Sequence, residues 1–169
     1  MLGSSVNARV RPARAEDCEA LAGVFAASWG DAYRCIIPSA HLGGLIRRRN
    51  AAWWATAVRN RESILVLEVA DVIGGYATYG AARARGAFDG EIYELYLIPT
   101  FQGLGLGELL FEACRVKLDE RGLSGLVVWA LSANREAHAF YRRRGGRPMA
   151  KALDRVGGAR LEKTGFGWP

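Results

Sequence analysis

The sequence predicts a single α/β domain in which one mixed sheet carries helices on both faces. Three observations lead there. Strand and helix periodicities alternate along the chain in the order β-α-α-β-β-β-α-β-α-β-β, a pattern that suits helices packed on both sides of a sheet. The length of 169 residues fits one domain, taken as 1–169, with no linker, repeat or low-complexity tract. Half of the residues are apolar and 24% are charged, so a core of ordinary size can form without disulfides or metal.

The elements follow in order. A short strand is expected at Asn7–Arg11, ended by Pro12. From Ala15 to Trp29 the residues Cys18, Leu21, Val24, Phe25 and Ser28 recur at helical spacing, with Glu16 and Asp17 at the positive end of the dipole. Arg14 stands where a capping Ser, Thr or Asp is preferred. A second helix is predicted over Leu42–Val58. Branched residues then mark a hairpin, Ile64–Ala70 and Ile73–Tyr79, turning at Asp71-Val72. A loop over Arg83–Gly90 precedes a strand at Glu91–Ile98 that Pro99 closes. Gly107–Arg121 reads as a helix stopped by Gly122, Leu126–Leu131 as a strand, and Arg135–Arg144 as a helix ended by Gly145-Gly146. The tail, Arg147–Trp168, forms two strands broken at Gly157-Gly158.

Cys18, Cys35 and Cys114 are odd in number and widely spaced, which argues against a disulfide framework and structural zinc. Cys114 has Leu110 and Leu118 one turn away on either side and reads as core. No apolar run is long enough for a membrane span, and Met1–Ser5 lacks the features of a signal peptide, so a cytoplasmic protein is expected. The net charge of +6 suits an anionic partner, either nucleic acid or a polyphosphate cofactor. The clusters Arg47-Arg48-Arg49 and Arg142-Arg143-Arg144 read as solvated helix faces.

Between a strand and a helix lies Gln102-Gly103-Leu104-Gly105-Leu106-Gly107. Glycines there let the backbone approach a ligand, and the helix behind them offers unpaired N–H groups and partial positive charge to a pyrophosphate. Two nucleotide motifs fit badly. The P-loop needs Lys-Ser/Thr after its last glycine, where this chain has Glu108-Leu109. The dinucleotide fingerprint spaces its third glycine one residue later than Gly107.

The sequence resembles the GCN5-related N-acetyltransferase (GNAT) superfamily in three segments. Residues 102–107 match the family's Q/R-x-x-G-x-G/A motif at every specified position, and Glu91–Pro99 resembles its fourth strand. Asn134-Arg135-Glu136-Ala137-His138-Ala139-Phe140-Tyr141 matches N-x-x-A-x-x-F-Y. The chain departs from the family at Gly146, where an aromatic usually follows glycine, which predicts looser packing under the sixth strand.

The resemblance implies a mostly antiparallel sheet splayed between strands 4 and 5, with acetyl-CoA as cosubstrate and an amine as acceptor. It implies that the pantetheine arm pairs with the backbone of Leu95 and Leu97 and that Asn134 hydrogen-bonds it, unless Asn134 only caps its helix. The amides of Gly103, Leu104, Gly105, Leu106 and Gly107, after Gln102, would hold the pyrophosphate. Tyr141 matches the family tyrosine that protonates the departing thiolate. Glu91, eleven residues before Gln102, is the first candidate base and by strand alternation shares a face with Leu95 and Leu97. Glu94 is its rival, because a β-bulge in the strand would swap the faces. Trp29, Tyr33, Pro38 and His41 fall in the segment that resembles the acceptor wall, while His138 borders Tyr141. Membrane and nucleic-acid partners are not expected, and a homodimer stays open.

Overall fold

The computed structural model describes residues 7–169; the opening segment considered above for a signal peptide lies outside them. Seven strands form one sheet: β1 (Ala8–Pro12), β2 (Ile64–Val69), β3 (Val72–Ala81), β4 (Gly90–Leu97), β5 (Leu126–Leu131), β6 (Arg147–Val156) and β7 (Ala159–Trp168). Their spatial order is β1-β2-β3-β4-β5-β7-β6. Every neighbouring pair is antiparallel except β4 and β5, which run parallel. That pair is joined only over Gly90–Ile92 against Leu126–Val128, so β4 leaves its partner after three residues and the sheet forks there.

Five helices cover the sheet: α1 (Cys18–Tyr33), α2 (Ser39–Arg48), α3 (Ala51–Arg59), α4 (Leu106–Glu120) and α5 (Arg135–Arg143). Strand β2 shows why two layers form. Its Leu65 and Leu67 enter the core under α4 with Leu110, Phe111 and Cys114, whereas Ile64 and Val66 enter the core under α1 and α3 with Leu21, Phe25 and Trp54. Each such buried side chain contributes about 1.5–3 kcal/mol. A third, smaller cluster joins Tyr33, Ile37 and Leu42 to Val156 and Leu161 of the β6–β7 hairpin.

Three expectations are corrected. The single helix predicted over Leu42–Val58 is two, α2 and α3, broken at Arg49-Asn50. Arg49 ends the first and Asn50 caps the second, its side chain accepting from Trp53 N–H at 3.0 Å. The start of α1 is closed from the other side of the turn: Asp17 Oδ2 accepts from Arg14 N–H at 2.7 Å, while both its oxygens hold Arg11. Packing at Gly146 is filled, not loosened. A Cβ there would come within 2.4 Å of the Trp168 ring, whose indole N–H donates to the Arg144 carbonyl at 2.8 Å.

Candidate functional site

The fork between β4 and β5 opens a cavity of about 600 Å³. Its walls include Leu95 and Leu97 from β4, Gln102, Gly103, Gly105 and Gly107 from the loop, and Asn134 and Tyr141 from α5 and its cap. The loop is shaped by its glycines: Gly103 and Gly105 have φ of 74° and 76°, where any other residue is strained. Gly105 is the N-cap of α4 and no side chain caps that helix, so its first amides face the cavity end of the dipole. Leu104 and Leu106 do not line the cavity: Leu104 is exposed, and Leu106 is buried in the core with Leu110 and Phe111. Gln102 Nε2 donates to the Leu97 carbonyl at 3.2 Å and ties the loop to the end of β4.

Asn134 caps α5 at the edge of the cavity. Its side chain accepts from Ala137 N–H at 3.2 Å as a helix cap, and it also lines the cavity. Tyr141 is buried, and loss of solvent pushes its phenol well above the usual range. The phenol therefore holds its proton at neutral pH, and no hydrogen bond to another described side chain competes for it. The basic cluster of α5 is not wholly solvated: Arg144 stacks on Phe140, 3.6 Å from the ring centroid, and lines this cavity. Burial pushes its guanidinium below the ordinary value, and its Nε has no partner among the described residues.

A second cavity of about 450 Å³ lies on the far side of β4. Trp29, Tyr33 and His41 line it, and Pro38 does not. The two cavities share Tyr33, Tyr93, Glu94, Tyr96, Trp129 and Ala130, and so meet where the strands part. His138 lines neither. Its Nε2 lies 3.1 Å from the Leu131 carbonyl and its ring packs edge-on against Phe166, a structural setting.

Glu91 is placed differently from the alternation argument, and Glu94 is not. Glu94 pairs with Thr78 and Ile92 with Tyr79, so Tyr93 is an extra, bulged residue. Residues opposite one another share a face. Leu95 and Leu97, opposite Ala77 and Gly75, therefore face α4, while Glu91, Glu94 and Tyr96, opposite Gly80, Thr78 and Tyr76, face α1 and α3. Glu91 does not share the face of Leu95 and Leu97, and it lines neither cavity. It is 1% exposed and holds the loop before β4, accepting from Arg83 N–H at 2.8 Å and from Arg83 Nη2 at 2.7 Å.

Glu94 lines both cavities. It accepts from Tyr76 Oη at 2.8 Å and, on both oxygens, from Arg49 Nη2. Beside it the hydroxyls of Tyr33 and Tyr96 lie 2.6 Å apart. Burial holds the Tyr76 and Tyr96 phenols far above their usual range. Sequence reasoning missed Arg49, Tyr76 and Tyr96. Arg49 sat inside a basic run, and the tyrosines read as ordinary strand residues; the bulge carried no sequence signal.

Cys114 is placed as a core residue. Cys114 is fully buried and loss of solvent pushes its thiol up to about 12. Among the described residues no group of three or more His, Cys, Asp and Glu could hold a metal ion, and no helix is long and apolar enough to cross a membrane.

Known proteins share this fold. The model of the acetyltransferase (GNAT) family matches residues 28–146. The chain is 30% identical over 162 residues to the uncharacterized N-acetyltransferase YuaI of Bacillus subtilis (strain 168), covering 95% of this chain and 92% of that one. Its fold is similar to PaiA N-acetyltransferase from Thermoplasma acidophilum, solved in complex with coenzyme A, with a TM-score of 0.74 at 18% identity over 93% and 98% of the two chains. It is likewise similar to a GCN5-related N-acetyltransferase from Rhodopseudomonas palustris, with a TM-score of 0.76 at 22% identity over 99% and 97%.

Proposed function

The chain belongs to the acetyltransferase (GNAT) family, with acetyl-CoA as cosubstrate, and on that premise we propose that it passes the acetyl group directly to a primary amine of a small molecule or peptide. The observation that carries this reading is the meeting of two cavities at the β4–β5 fork, with Glu94 lining both. The larger cavity suits the cosubstrate. The glycine turn and the uncapped start of α4 suit a pyrophosphate, the unpaired edge of β4 at Leu95–Leu97 suits an extended amide-bearing arm, and Asn134 stands beside it. The smaller, aromatic cavity suits the acceptor.

Acetyl-CoA supplies the activated acyl group. The amine nitrogen forms the new bond to the acyl carbon, the carbon–sulfur bond breaks, and the thiolate takes the proton that Tyr141 holds. Glu94, in place of Glu91, receives the amine's proton, because it alone of the two reaches the cavities. The net charge of +6 and the half-buried Arg144 beside the glycine loop favour the polyanionic cosubstrate.

Thiol release from acetyl-CoA over a library of primary amines tests the reading. Turnover with at least one small amine or peptide N-terminus is expected. Binding of CoA with no turnover on any amine, alcohol or thiol would leave a binding protein and sink the assignment.

A further inference from the structure

Arg49 follows α2 and is the last residue before the cap of α3. Its guanidinium lies among three rings, 3.9 Å from the centroid of Trp53, 4.7 Å from Phe25 and 4.9 Å from Trp54. Its side chain is 17% exposed, it lines the smaller cavity, and it does not line the larger one. From that seat one nitrogen, Nη2, reaches both oxygens of Glu94 across the cavity wall. The Arg49–Glu94 pair is the ionic link between the helical wall of the acceptor cavity and the bulged strand.

We propose that Arg49 is a positioning residue for acetyl transfer, an aromatic-caged cation that aims the Glu94 carboxylate at the acceptor nitrogen. The proposal rests on the assignment of Glu94 as the group that receives the amine's proton. A carboxylate offers about four acceptor sites. Arg49 occupies two and Tyr76 a third, which leaves one direction for the incoming N–H. The rings fix the planar guanidinium by stacking, so the carboxylate cannot swing with a mobile partner. An isolated carboxylate on β4 would sample several rotamers, and a misplacement of about 1 Å in a reacting group can cost roughly 100-fold in rate.

The charged and titratable groups facing Glu94 are the guanidinium of Arg49, the phenols of Tyr76 from β3, Tyr96 from β4 and Tyr33 from α1, and the guanidinium of Arg83 from the loop before β4. Arg49 alone among them contacts both carboxylate oxygens. The charge of Arg49 is therefore the part of its side chain that the positioning role needs, and a lysine that keeps the charge should recover part of what a glutamine loses.

The experiment is a double-mutant cycle of Arg49→Gln and Glu94→Gln, read as kcat/KM for the amine at saturating acetyl-CoA. Arg49→Gln should lower kcat/KM by about 10–100-fold and leave CoA affinity unchanged. In the Glu94→Gln background the same substitution should cost less than about 3-fold, because the group it aims is gone. Arg49→Lys, which keeps the charge, should recover part of the rate, a rescue that loss of packing alone would not give. If Arg49→Gln does not fold, Arg49→Lys carries the cycle, and its smaller loss must again vanish beside Glu94→Gln. A loss that multiplies fully in the double variant, or an unaffected Arg49→Gln beside an impaired Glu94→Gln, overturns the positioning role and leaves Glu94 its own. A wild-type rate in Glu94→Gln alone overturns the base assignment and this proposal with it.

Discussion

Two carboxylates three residues apart on β4 have separate work although the bulge at Tyr93 turns both to one face. Glu91 holds a loop through Arg83, whereas Glu94 stands at the meeting of two cavities. Glu91→Gln should lower stability by about 1–3 kcal/mol, the range for losing a hydrogen-bonded charge, and leave the shape of the pH–rate profile unchanged. Glu94→Gln should lower the rate most near neutral pH, with partial recovery as pH rises and free amine accumulates. Tyr141→Phe, which removes one buried hydroxyl and little volume, should lower kcat by about 10–1000-fold with CoA affinity kept. Away from the site, Asp17 gives a pH test of the fold. Burial works against its carboxylate, but hydrogen bonds from Arg11 and from Arg14 N–H outweigh that and hold it below its ordinary value of 3.8. A depressed pKa contributes stability above the unfolded value and loses it as pH falls through the folded one. Asp17→Asn should thus cost about 2 kcal/mol at pH 7 in denaturant titrations, and the gap to wild type should narrow below pH 3.8. Residue types at the site were legible in the sequence; which side chain met which cavity was not, since a bulge is a register event between strands.

Among the elements, the most legible was the glycine loop, because positive φ leaves glycine little substitute. Gly105→Glu places a side chain in open space at a φ of 76°, at the uncapped start of α4. The strain is worth on the order of 1–3 kcal/mol, so the domain should stay folded while the new negative charge removes CoA binding. A calorimetric titration with unchanged affinity would refute the assignment of the loop. The break between α2 and α3 was missed although its signal was present. Asn50 is a good N-cap, but the apolar stripe from Leu42 to Val58 runs through it at helical spacing. That break turns Arg49 toward the sheet. Gly146 shows the reverse case, a visible departure with an unforeseen partner. Trp168, twenty-two places further on at the end of β7, fills the space beside it. Gly146→Ala should destabilise by about 1–3 kcal/mol through overpacking against that ring.

At the scale of the molecule, the alternation of elements and three spaced motifs made the fold readable from the sequence. The smaller cavity was not readable as a whole. It is assembled from α1, α2, the loop before β4, β4, β5 and the β6–β7 hairpin, whose contributions have no common spacing. The same assembly predicts the order of events. Two cavities that meet at one fork can hold both substrates at once, and the buried Cys114, with its thiol pushed up to about 12, offers no covalent relay. Intact mass after incubation with acetyl-CoA alone should therefore show no acetylated cysteine. The most direct test of transfer across the fork is the initial-velocity pattern with acetyl-CoA and the amine varied together. Double-reciprocal lines that intersect, as a ternary complex requires, are the expected result; parallel lines, the mark of an acetyl-enzyme formed before the amine binds, would contradict it.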